Sequence, residues 1–155
     1  MPFLPPLGLN LLLVLFLFMA SCGKRLIEEY SFRNELKEDV ELYLYVGSEN
    51  YSQKIAPYHL VLMGDSIKLL TVETNDRGGV GPDYFHKLVD SAMVKIHGQE
   101  KHIAVWRQGA EPELAEGYED LPDFYFYNYW PKIHQHAGNH AEYAYSLTLN
   151  WPIWY

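Results

Sequence analysis

The chain has 155 residues, enough for one ordinary domain with short appendages, and 48% of them are hydrophobic, enough to bury a real core. Its formal net charge is −8, and residues 1–21 carry no charged side chain, so the acidic excess belongs to everything downstream. That balance repels a phosphate backbone and excludes nucleic acid as a natural partner; it also gives no electrostatic attraction to anionic lipid.

Residues 11–20, LLLVLFLFMA, are apolar throughout and would span only about 15 Å as a helix, roughly half of a hydrocarbon core about 30 Å thick. Pro5, Pro6, Gly8 and Asn10 interrupt any longer apolar helix. The length suits the hydrophobic region of a secretory signal better than a membrane span, although no Lys or Arg precedes it. Small residues, Ala20 and Ser21, lead into Cys22, the one cysteine of the chain.

The string Met19-Ala20-Ser21-Cys22 resembles the lipobox of bacterial lipoproteins. The resemblance implies a signal peptide over 1–21, cleavage before Cys22, a diacylglycerol on its thiol and further acylation, palmitate among the chains. Two or more acyl chains are what stable anchoring takes. Gly23 follows where a retention aspartate would stand, which favours the outer membrane as destination. With no second cysteine, the domain is stabilised by its core and not by disulfides.

Residues 22–30 are expected as a tether and 31–155 as a β domain, although Ile27–Phe32 also reads as a first strand. Val40–Val46 alternates cleanly: Val40, Leu42, Leu44 and Val46 on one face, Glu41, Tyr43 and Tyr45 on the other. His59–Met63, a turn at Gly64-Asp65-Ser66, and Ile67–Glu73 read as strand, turn, strand. Asn75–Pro82 is a loop; its Gly78-Gly79-Val80-Gly81 lacks the Gly-Lys-Ser/Thr ending of a phosphate loop. Tyr84–Leu88 reads as one helical turn, and Ala92–His97 with His102–Trp106 as a hairpin around Gly98–Lys101.

Arg107–Pro122 reads as surface loop, Phe124–Trp130 as a strand of high β propensity, and Glu142–Asn150 as the last strand. Some seven short strands and no long helical period indicate an all-β, small antiparallel β-sandwich (Ig-like or transthyretin-like) or a partly open barrel. Ile55-Ala56-Pro57, Gly64-Asp65-Ser66-Ile67, Asp90-Ser91 and the strand Glu142–Thr148 are similar to the small, uncharacterised β-rich lipoproteins of Bacteroides-type bacteria. That resemblance implies a lipid-anchored envelope protein and carries over no activity.

Three side-chain groups are candidates for chemistry. His134, His136 and His140 have spacings that could hold zinc, with Glu142 as a fourth ligand, provided the chain turns at Gly138. Gly138-Asn139 equally suits a loop of solvated histidines, which would leave the protein without a cofactor. Tyr125, Tyr127 and Tyr129 would share one face of a strand and could stack on sugar rings or simply cover a sheet. Glu111, Glu113, Glu116, Glu119, Asp120 and Asp123 crowd one segment, the pattern of a solvated loop rather than of paired catalytic carboxylates. No nucleophile elbow accompanies Ser66, Ser91 or Ser146. The expected function is a non-enzymatic envelope lipoprotein, held to the membrane through Cys22, that binds a protein or glycan. A metal-binding protein built on the histidines is the alternative.

Overall fold

The computed structural model describes residues 25–46, 58–74, 80–136 and 139–150. Nine strands and one short helix follow in order: β1 Leu26–Asn34, β2 Val40–Tyr45, β3 Tyr58–Val61, β4 Ser66–Thr74, α1 Pro82–Leu88, β5 Ser91–Ile96, β6 His102–Arg107, β7 Glu113–Leu114, β8 Lys132–His136 and β9 His140–Leu147. They form two sheets, one ordered β4-β1-β9-β8 and one ordered β3-β2-β5-β6-β7. The sheets pack face to face as the expected β-sandwich, with no closed barrel among the described residues. No described helix is long and apolar enough to cross a membrane.

The alternation read in the sequence is the alternation of burial. In β2, Val40, Leu42 and Leu44 are buried while Glu41 and Tyr43 are half-exposed and Tyr45 exposed. In β9, Ala141, Tyr143, Tyr145 and Leu147 turn to the core. The β5–β6 hairpin forms as expected, with a register irregularity between Val94 and Lys95. Helix α1 is longer than one turn by a few residues and starts with Pro82, where a missing N–H costs nothing.

Two expectations are corrected. β1 begins at Leu26, so the second half of the expected tether 22–30 belongs to the first strand; residues 22–24 lie outside the described residues, as do Cys22 and the whole of 1–21. The segment 124–130 is no strand but a turn followed by a 3-10 turn at Tyr127–Tyr129. Strand, turn and strand form as expected around Gly64-Asp65, and the two strands enter different sheets: β3 pairs with β2, β4 with β1. The antiparallel sandwich forms as expected, with one parallel pair, β1 with β9, inside it.

The crossing between sheets at Gly64-Asp65 is pinned by Asn34, which is fully buried at the end of β1. Its amide nitrogen donates to the carbonyls of Glu38 (2.8 Å) and Val61 (3.1 Å), and its side-chain oxygen accepts from the Leu36 N–H (3.0 Å). Its own N–H donates to Asp65, and its carbonyl accepts from Gly64. One amide therefore ties β1, the β1–β2 connection, the end of β3 and the turn into β4. Gly64 takes φ 79°, a conformation that a side chain would strain.

Inside, aromatic rings dominate. Tyr30 stacks on Phe85 (5.3 Å) and on Tyr143 (5.4 Å), Phe32 stacks on Tyr145, and Trp130 packs on Phe85 at 4.9 Å and Phe124 at 5.2 Å. Trp106 closes this cluster against Phe124 and Tyr145. Such ring pairs contribute about 0.5–1.5 kcal/mol each beyond the area they bury.

Replacing Asn34 by Ala leaves the buried Val61 carbonyl and the buried Leu36 N–H, with the part-buried Glu38 carbonyl, without the partner the side chain supplied. Unfolding in urea is expected to show a loss of about 3 kcal/mol in stability with an unchanged denaturant slope; a loss under about 1 kcal/mol would mean that the amide is not the pin.

Candidate functional site

The outward face of the β4-β1-β9-β8 sheet carries a cluster of ionisable groups. Glu29 on β1 is bonded by Lys68 on β4, and its other oxygen lies 3.5 Å from His140 Nε2 on β9. The Lys68 hydrogen bond is the largest influence on Glu29 and holds its carboxyl below the usual carboxylate range; His140 pulls the same way. Register places Glu142 beside Glu29 across the parallel β1–β9 pair and His134 across from Glu142 on β8, with His136 across from His140. The three histidines expected as a loop cluster thus lie on two paired strands, His134 and His136 on β8 and His140 on β9. Among the described side chains, no three His, Cys, Asp or Glu are placed to hold one metal ion.

The tyrosines expected to line one strand face do not do so. The Asp123 side chain accepts from the Tyr125 N–H at 2.9 Å and its carbonyl from Phe126, which bends the backbone out of extended geometry. Tyr125 packs against the core with its hydroxyl donating to the Val89 carbonyl (2.8 Å), Tyr129 packs against the core beside Phe126, and Tyr127 is exposed. Burial pushes the Tyr125 hydroxyl well above its ordinary range.

A different tyrosine group forms on the outward face of the other sheet. Tyr43 on β2 and Tyr58 on β3 are register partners with ring centroids 5.2 Å apart, and Lys95 on β5 stands 5.4 Å over the Tyr43 ring. Tyr45 and Leu60 extend the patch, both exposed. Glu41 accepts from the Tyr43 hydroxyl at 2.8 Å and meets His97 Nδ1 at 2.8 Å. The Tyr43 bond, then the His97 bond, holds the Glu41 carboxyl below its ordinary value, while the Tyr43 hydroxyl is pushed up to about 12. Tyr43 and Tyr45 were visible as a stripe in the sequence; Tyr58, thirteen residues beyond Tyr45, was not.

Neither family models, nor curated proteins, nor solved structures give a match to this chain. Its chemistry must therefore be read from the side chains alone.

Two further features belong to the interior. Glu28 is fully buried and accepts the backbone N–H groups of Val80 (3.1 Å) and Gly81 (3.2 Å) at the start of α1. The Gly-rich segment that resembled no phosphate loop ends by cradling this protein carboxylate, with Gly81 at φ 66°. The Tyr30 hydroxyl lies 2.7 Å from the Gly81 carbonyl and 3.0 Å from Glu28, sharing its proton between them. His86 on α1 is buried against Tyr125, Trp130 and Phe124. Desolvation is the largest influence on its ring and lowers its proton affinity, against opposing contributions from Asp83 and Asp123. A groove of about 570 Å³ near the β1–β2 connection is lined by Leu36, Tyr118 and Thr148 among others, and it gathers no set of groups with complementary catalytic roles.

A histidine with lowered folded-state affinity is neutral in the fold while the unfolded chain binds a proton near the ordinary value of 6.5. The unfolded state then binds more protons, so its contribution is fully present above about pH 6.5 and is lost as pH falls below it. Urea midpoints measured from pH 7 to pH 5 should fall more steeply for the natural chain than for His86→Gln; equal slopes would remove His86 as the titrating group.

Proposed function

We propose that this is a lipid-anchored cell-envelope protein, held through Cys22, whose sandwich acts as a non-enzymatic binding module. The feature that carries the reading is the apolar run 11–20 ending in Met19-Ala20-Ser21-Cys22, with the first strand of the sandwich beginning four positions later at Leu26. The apolar run and Met19-Ala20-Ser21-Cys22 then have a processing role, and the thiol a covalent one. The similarity to the β-rich lipoproteins of Bacteroides-type bacteria, and Gly23 after the cysteine, favour the outer membrane.

For the binding face, the Tyr43–Tyr58 pair with Tyr45 and Leu60 supports ligand contact better than Tyr125, Tyr127 and Tyr129, because the former share one exposed sheet surface. Exposed tyrosines offer a flat apolar ring with a polar tip, a surface suited to stacking on a sugar ring or against a partner protein.

Two measurements test this. In cells fed radioactive palmitate, the natural chain should incorporate label and sediment with membranes; Cys22→Ala should lose the label and become extractable while keeping its far-ultraviolet circular dichroism. Label retained by Cys22→Ala would defeat the anchor. On a glycan array, binding by the natural chain should fall at least tenfold in Tyr43→Ala/Tyr58→Ala and stay unchanged in Tyr127→Ala; the reverse pattern would move the binding face to the loop.

A further inference from the structure

We propose that Tyr43 and Tyr58 form an oxidative cross-linking site: a peroxide-derived one-electron oxidant joins their rings through a carbon–carbon bond, which fastens the outer strand β3 to β2.

Strand pairing supplies the approach. β3 has four residues, and among the described residues it is bonded to β2 alone. Tyr43 and Tyr58 are the last register pair of that ladder, opposed on one face of the sheet. Directly opposed residues have Cβ atoms about 5 Å apart, so the backbone itself keeps the two rings within reach of each other. Their centroids lie 5.2 Å apart with the planes at 51°. Two phenol rings joined ortho to their hydroxyls sit closer than this by only a fraction of a ring's width, and are twisted rather than coplanar. Side-chain rotation closes that gap without moving a strand.

Exposure selects this pair over another. Tyr58 is 44% exposed and Tyr43 is half-exposed, so an oxidant in solvent reaches both rings. Tyr30 and Tyr143 are nearly as close, at 5.4 Å, but both are buried.

Glu41 provides the chemical part. The hydroxyl of an oxidised phenol is strongly acidic, and electron loss is easiest where a base already holds the proton. The Tyr43 hydroxyl donates to one Glu41 oxygen at 2.8 Å, and the other oxygen meets His97 Nδ1 at 2.8 Å. These bonds, the Tyr43 bond first, hold the Glu41 carboxyl below its ordinary value, so it is ionised and ready to accept. Tyr43 therefore passes its proton to Glu41 as its electron leaves, and Tyr58 passes its proton to water. The ring carbons ortho to the two oxygens then combine, and the two ortho hydrogens move through water to the oxygens and restore the hydroxyls. Hydrogen peroxide takes up the two electrons and two protons and leaves as two waters.

Composition makes such a bond useful. Cys22 is the one cysteine of the chain, so no disulfide can staple the sandwich. A covalent link between strands acts as a disulfide does, by removing conformations from the unfolded chain. The site depends on neither the lipid anchor nor a ligand at the tyrosine face.

The test treats the full chain in detergent with hydrogen peroxide and a haem peroxidase. The monomer should become lighter by two hydrogen atoms and gain the blue fluorescence of dityrosine. Mass spectrometry of a digest should show the Tyr43 and Tyr58 peptides joined, a readout that needs no variant to fold, and the yield should not fall when the protein is diluted tenfold. Tyr43→Phe and Tyr58→Phe should each lower the joined monomer at least tenfold, Glu41→Gln should slow its formation severalfold, and Tyr127→Phe should change nothing. The joined chain should also unfold at a higher urea concentration than the unjoined one, and the same joined peptide should be recovered from cells exposed to peroxide. Peptides joined through other tyrosines, a product made only of dimers, or folded Phe variants that cross-link within twofold of the natural chain would overturn the site, as would absence of the joined peptide from peroxide-treated cells.

Discussion

A core made of tyrosine and tryptophan carries polar tips, and each tip buried there must find a partner or cost stability. That requirement organises this sandwich. Tyr145 is fully buried and its hydroxyl donates to the Pro122 carbonyl at 2.6 Å; Trp130 Nε1 donates to the Phe124 carbonyl at 2.7 Å; Tyr125 reaches Val89 and Tyr30 reaches Gly81. Every one of these acceptors lies in irregular backbone rather than in a ladder, where carbonyls are already engaged. The long connection between β7 and β8 is thus drawn over the end of the sandwich by the same rings that fill its centre. A buried tyrosine without its acceptor loses about 1–3 kcal/mol, so the loop conformation and the core packing are set together.

Glu28 extends the same logic to a charge. A carboxylate at a fully buried position is tolerated only with donors around it, and here two backbone N–H groups and a tyrosine hydroxyl converge on it. Backbone donors cannot be supplied by a strand already paired on both sides, as β1 is. They come from the Gly-Pro start of α1, which is why a short helix lies against one edge of an otherwise all-β core. Tyr30, beside Glu28, has its hydroxyl driven far above the ordinary range, first by burial and then by the neighbouring charge.

What could be read from the sequence and what could not divides along the same line. Strands with one buried face declare themselves by a period of two, as β2 and β9 did; β5 and β6, the latter buried on both faces, were legible instead as apolar runs around a polar turn. Phe124–Trp130 has the same composition as a strand, yet its aromatics enter the core from a turn. The signal for that outcome was present in Pro122-Asp123, since a short acidic side chain after proline readily bonds the backbone two residues on; β propensity outweighed it in the reading. The crossing at Gly64-Asp65 left no local trace, because its cause is Asn34, thirty residues earlier. The parallel β1–β9 pair likewise joins segments more than a hundred residues apart. Candidate sites followed suit: the three histidines were legible as a string, whereas Glu29 and the face they share came only from strand order. Tyr58 was invisible for the same reason, being Tyr43's neighbour in the sheet and not in the chain.

The two halves of the functional reading meet at the start of β1. Leu26 lies four positions after Cys22, a reach of at most about 14 Å for extended chain. An acylated Cys22 would therefore hold the Leu26 end of the sandwich close against lipid headgroups. Ile27 is the register partner of His140, and its N–H donates to the Asn139 carbonyl. Asn139 and the start of β9 consequently lie at that same end, and so does the ionisable cluster of Glu29, His140 and Glu142. Net charge opposes any attraction of this domain to anionic headgroups, so it is the covalent anchor, not the surface, that would keep the two together. The domain would then be tied to the membrane by a short strap at the start of an inner strand of the histidine-bearing sheet, with the tyrosine face carried on the opposite sheet.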